Sequence, residues 1–94
     1  MDSKDFIDLC KGQLVSYWIT KNRGKHVGKE DIFVVWYCKT LQNHKTLMSA
    51  PIKGFPYVEF TYNGDKDELY MDVYSKIQHE CIEGASDIGI GTNA

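Results

Sequence analysis

Hydrophobic residues recur along the first part of the chain with the period of a helix. From Ser3 to about Asn22, the residues Phe6, Ile7, Cys10, Leu14, Tyr17 and Trp18 share an arc of about 120°, at about 100° per residue. Asp5, Asp8, Gly12 and Ser16 fall on the opposite side. Asp2 or Ser3 is placed to accept hydrogen bonds from the first free backbone N–H groups, and Asp5 suits the positive end of the helix dipole. Gly24 is a natural stop. A polar loop follows, and then the character changes. Ile32–Cys38 is a dense β-branched and aromatic run that reads as a central strand covered on both sides. Gln42–Lys45 interrupts it as a polar turn, and Thr46–Ala50 reads as the return strand of a hairpin.

Pro51, Gly54 and Pro56 mark a loop, because prolines that close together do not fit a central ladder. Beyond it the period falls to two. Val58, Phe60 and Tyr62 alternate with Tyr57, Glu59 and Thr61; Leu69, Met71 and Val73 alternate with Tyr70, Asp72 and Tyr74. Asn63-Gly64 between these runs is a hairpin signal. Ser75–Glu83 is expected to form a short helix, and residues 84–94 a loose tail, which puts a single domain at residues 1–83. The predicted fold is α+β: an N-terminal amphipathic helix packed on an antiparallel sheet of about four strands in two hairpins.

One helix covers one face of such a sheet, so the other face is expected to keep exposed aromatic area and to meet a partner or a second copy of the chain. Composition fits that picture. The chain has 94 residues, 43% of them hydrophobic, and its 11 Lys and Arg nearly balance 13 Asp and Glu to leave a formal charge of -2. That balance speaks against generic nucleic-acid binding, which usually needs a basic surface. No apolar run reaches the length that spans a bilayer, and the polar start is unlike a secretion signal, so the expected location is the cytoplasm.

The chemistry-bearing residues are sparse. Cys10, Cys38 and Cys81 lack a CxxC pair, and His26, His44 and His79 show no ligand spacing; buried reduced thiols and surface imidazoles are the simpler reading. The carboxylates around Asp65, Asp67, Glu68 and Asp72 match no calcium loop, and no glycine loop suits a phosphate. No catalytic residue, metal site or cofactor is therefore expected. The polar groups that do concentrate lie at the two hairpin turns. Trp36, Tyr37, Lys39, Gln42, Asn43 and Lys45 surround the first, and Tyr62, Asn63 and Lys66 the second. Aromatic rings, amides and ammonium groups together are what a nucleotide pocket uses. The competing reading is that hairpin turns are polar anyway.

Around these same turns the chain resembles a known family. Val34–Met48 is similar to a motif of the form VW-x-CK-x-LQN-x-K-x-LL, and Tyr57–Tyr74 to YYEVTYNGDK-x-ELYLD-x-Y. Both motifs occur in a family of small phage and prophage proteins of Gram-positive bacteria, a domain of unknown function. The likeness spans roughly residues 4 to 82; Gly54-Phe55-Pro56 and the stretch from Gly84 depart from it. The resemblance implies a small non-enzymatic phage accessory protein that counteracts host antiviral defence by binding. It would sequester a nucleotide second messenger or block a defence protein, acting as a homo-oligomer in the host cytoplasm. The alternative is a structural or regulatory interaction module of phage replication or morphogenesis.

Overall fold

A computed structural model describes residues 1–21, 26–75, 80–84 and 86. Helix α1 spans Ser3–Lys21, a short 3-10 turn spans Lys29–Asp31, and four strands follow: β1 Phe33–Thr40, β2 Asn43–Ser49, β3 Tyr57–Asn63 and β4 Glu68–Tyr74. The strands form one antiparallel meander in the order β1-β2-β3-β4. The α+β reading of the sequence, one helix on four strands, holds. Gly24 and the far end of the expected helix lie outside the described residues, as does most of the stretch from 75 to 94. Where that stretch is described, Ser75 and residues 80–83 are not helical.

Helix α1 starts where it does because Asp2 caps it. The Asp2 carboxylate accepts a hydrogen bond of 2.8 Å from the Asp5 amide, and the Asp2 carbonyl accepts from the Phe6 amide at 3.0 Å. Phe6, Cys10, Leu14 and Trp18 recur every fourth residue and are fully buried. They cover Met48, Val58 and Phe60 of the sheet, with Ile7, Val15, Tyr17 and Tyr37 at the margin. Trp18 also packs against Phe55 of the bridge between β2 and β3, their rings tilted by 35° with centroids 4.5 Å apart. The core thus runs along β2 from the hairpin turns to that bridge.

The strand register places the helix-facing rows. Tyr37, Thr46, Phe60 and Met71 are successive partners across the sheet, and so are Lys39, His44, Tyr62 and Leu69. Strand β1 is an edge strand, contrary to the expectation of a central one covered on both sides. Its apolar density has two other causes. An irregularity between Val34 and Trp36 inserts Val35 as an unpaired residue, so adjacent apolar residues do not imply two buried faces. The far side of β1 is also simply uncovered. The Thr46 hydroxyl donates to the Trp36 carbonyl at 2.8 Å, which satisfies a backbone group beside the bulge.

Both turns differ from expectation in detail. The first is tight: Thr40 pairs with Asn43, so Leu41 and Gln42 alone make the turn and β2 begins earlier than Thr46. The second is wider, because Asn63 pairs with Glu68 and residues 64–67 form the loop. Asn63 does not serve as a positive-φ residue there. Its side chain instead accepts from the Asp65 and Lys66 amides at 3.0 and 3.3 Å, an Asx turn.

The two turns lie side by side. The Asn43 side chain accepts from the Gly64 amide at 2.9 Å, and the Gln42 amide donates to the Asp65 carboxylate. Gly64 is required for space. A Cβ placed there would approach the Gln42 carbonyl oxygen to 2.3 Å. Gly64→Ala is therefore expected to destabilise the fold by about 1–3 kcal/mol, read as a lower urea midpoint at unchanged m-value.

Candidate functional site

The nine residues singled out at the turns do not form one pocket. Trp36 pairs with Leu47 and Lys45 pairs with Cys38, all on the side of the sheet away from α1. Tyr37, Lys39 and Tyr62 belong to the helix-facing rows. Gln42, Asn43 and Asn63 are occupied in joining and shaping the turns. Lys66 is exposed at the tip of the second loop. Trp36 and Lys39 consequently point to opposite faces of one protomer. Lys39, Leu41, Gln42, Tyr62 and Gly64 do border a shallow polar depression with Met1.

Tyr37 belongs to a buried polar group that sequence reasoning missed. His44 is almost wholly buried, which corrects the expectation of a surface imidazole there, whereas His26 is exposed as expected and His79 lies outside the described residues. Its Nε2 lies 3.1 Å from the Met1 carbonyl and its Nδ1 lies 2.6 Å from the Tyr37 hydroxyl. The carbonyl only accepts, so Nε2 carries the proton and Nδ1 accepts from Tyr37. Burial pushes the Tyr37 phenol above its ordinary pKa, with Cys38 adding to the shift and a Ser3 hydrogen bond opposing it. Phe6 stacks on the imidazole, centroids 4.8 Å apart at 23°. Tyr37→Phe leaves Nδ1 buried without a donor; thermal unfolding should show a loss of about 1–3 kcal/mol.

The cysteines are all free, and their placement only partly matches the expectation of buried thiols. Cys10 is buried in the core, whereas Cys38 and Cys81 are exposed. Burial pushes the Cys10 thiol up to about 12 from 9.0. The folded state thus keeps the proton that the unfolded chain loses near pH 9. This contribution is complete below about pH 9 and disappears as pH climbs toward about 12. Urea unfolding should show stability falling over that window, less steeply in Cys10→Ala. A thiol reagent should modify Cys38 and Cys81 quickly and Cys10 only on unfolding. Among the described residues no cluster of three or more His, Cys, Asp or Glu is arranged to hold a metal, and no helix is long and apolar enough to cross a membrane.

The largest chemical feature is the sheet face away from α1. Across its middle, Trp36, Leu47, Glu59 and Asp72 are successive register partners, and Cys38, Lys45, Thr61 and Tyr70 form the neighbouring row. Tyr57 pairs with Tyr74 beyond them. Phe33, Trp36, Tyr57, Tyr70 and Tyr74 are each 39–53% exposed. No helix or strand among the described residues lies over this face. At the end remote from the turns it continues into a groove of about 840 Å3 between Phe33, Tyr57, Tyr74 and the bridge residues Ala50–Pro56. Leu41 is a further residue the sequence did not flag. It is 81% exposed and held at φ 56°, a conformation that suits glycine or asparagine better than leucine.

These features define a two-layer α+β protein whose helix shields one sheet face and whose other face is open. Residues 7–84 match DUF6275, a family of unknown function, and the chain belongs to that family. No curated protein matches it, and no solved structure does.

Proposed function

We propose that this chain is a non-enzymatic phage accessory protein that counteracts host antiviral defence by docking on a defence protein in the host cytoplasm. The observation that carries the proposal is the uncovered sheet face, where Phe33, Trp36, Tyr57, Tyr70 and Tyr74 stay exposed beside Leu47. Aromatic side chains grouped at one surface are what protein interfaces favour at their centres. The phage setting comes from the likeness of the Val34–Met48 and Tyr57–Tyr74 motifs to phage and prophage proteins.

A binding role also fits the polar groups inside the fold. His44 has both ring nitrogens engaged in structural hydrogen bonds, and Cys10 is held protonated by burial. Sequestration of a nucleotide between protomers is the other mechanism, with Trp36 and Lys45 on one sheet face and Tyr37 and Lys39 on the other. The alternative, a module of phage replication or morphogenesis, would use the same face on a phage partner.

Expression of the protein in bacterial strains that each carry one antiphage defence provides the test. The expected result is restored phage plating in at least one strain. A Trp36→Ser, Tyr57→Ser double variant with an unchanged circular dichroism spectrum should lose that effect. Protection by the double variant at the wild-type level overturns the docking reading. Nucleotide release from denatured wild-type protein would favour sequestration instead.

A further inference from the structure

The uncovered face is divided by charge as well as by hydrophobicity. Its β1–β2 half presents Trp36 and Leu47, and its β3–β4 half presents tyrosines and carboxylates. Glu59 and Asp72 are direct cross-strand partners on this face. Like charges in that position repel. Lys45 reaches Glu59 at 3.6 Å and so offsets one of the two. Among the described residues the Asp72 carboxylate has no side-chain hydrogen bond or ion pair. It lies on the edge strand β4 between Tyr70 and Tyr74, which flank it on the same face two residues either way. Farther along, Glu68 accepts from the Tyr70 hydroxyl at 2.9 Å.

We infer that the partner of this face, on the docking reading above, presents an arginine-bearing basic segment along β4, with a guanidinium at Asp72 and its flat surface against Tyr70 or Tyr74. The charge pattern selects this occupant. Among the described residues the face carries three carboxylates, Glu59, Glu68 and Asp72, against the ammonium of Lys45, which is already paired, while Lys53 lines only the groove at the end remote from the turns. A second copy packed face to face with β4 over β4 would set carboxylates against carboxylates. Nucleic acid would meet the same repulsion. A cationic side chain removes the Glu59–Asp72 repulsion and gains from the exposed rings on either side. Arginine suits the position better than lysine, because its planar fork binds a carboxylate with two hydrogen bonds while stacking on an aromatic ring.

The test uses fluorescein-labelled peptides of alternating arginine and alanine, lysine and alanine, or citrulline and alanine, with binding to the full chain followed by anisotropy. The arginine peptide should bind more tightly than the lysine peptide, the citrulline peptide should not bind, and added salt should weaken the interaction. Asp72→Asn and Tyr70→Ser should each weaken the arginine peptide about five- to tenfold. Asp72→Asn should also raise the melting temperature of the free protein, since it removes one of two opposed charges. That readout separates a binding role from damage to the fold. Arginine binding unchanged by Asp72→Asn overturns the inference, as does a dimer in light scattering that dissociates on Trp36→Ser. If the peptides fail while the Trp36, Tyr57 variant still abolishes protection in cells, the docking face stands and only the charge inference falls. If the peptides bind through Asp72 while protection ignores both sets of substitutions, the basic-segment site stands and the anti-defence reading falls.

Discussion

The contact between the Phe6 ring and the His44 imidazole holds the two layers of this protein in register. Phe6 is the first buried residue of α1, and His44 is the second residue of β2. Because the imidazole is also tied to the Met1 carbonyl and the Tyr37 hydroxyl, the start of the helix is fixed to the turn end of the first hairpin at several points. The four-residue spacing of Cys10, Leu14 and Trp18 then carries the helix along β2 until Trp18 meets Phe55. A buried polar cluster of this kind adds direction to hydrophobic packing, since it is satisfied in one arrangement only.

With α1 committed to β2, the sheet is covered unevenly. Met71 and Val73 share the helix-facing side yet remain partly exposed on β4, because a single helix is narrower than four strands. The opposite side has no layer among the described residues. The hairpin turns compensate at one end through Asn43, Gln42, Gly64 and Asp65, whose hydrogen bonds tie the two hairpins together. Stability in this molecule is therefore concentrated around β2 and β3, and the edge strands are left to solvent and to whatever docks there.

The helix and the last two strands were legible in the sequence because their periods are clean. Phe6 to Trp18 repeats every fourth residue, and Val58 to Tyr62 alternates strictly. The position of β1 was not legible. Val34-Val35-Trp36 reads as apolar on both sides, and only the pairing with β2 reveals that Val35 is an inserted residue on an edge. The second turn misled for a different reason: Asn63 uses its side chain, where the dipeptide Asn-Gly suggested its backbone. Of the candidate site, the existence of an open aromatic face followed from counting one helix against four strands. The division of the nine turn residues between two faces depended on register, which the sequence pattern alone left one residue loose. His44 was hidden because nothing local distinguishes a buried imidazole from an exposed one.

The inserted Val35 has a bearing on solubility. Phe33-Val34-Val35-Trp36 is a short, uncharged, strongly β-forming segment on an open edge, the composition from which cross-β stacking grows. A strand from another molecule needs an evenly spaced row of backbone groups to add to such an edge. The bulge breaks that spacing and sharpens the local twist. Lys39 places a charge farther along the same strand. An irregularity that looks like a flaw in the ladder thus makes this apolar edge a poorer template for the strand of another copy.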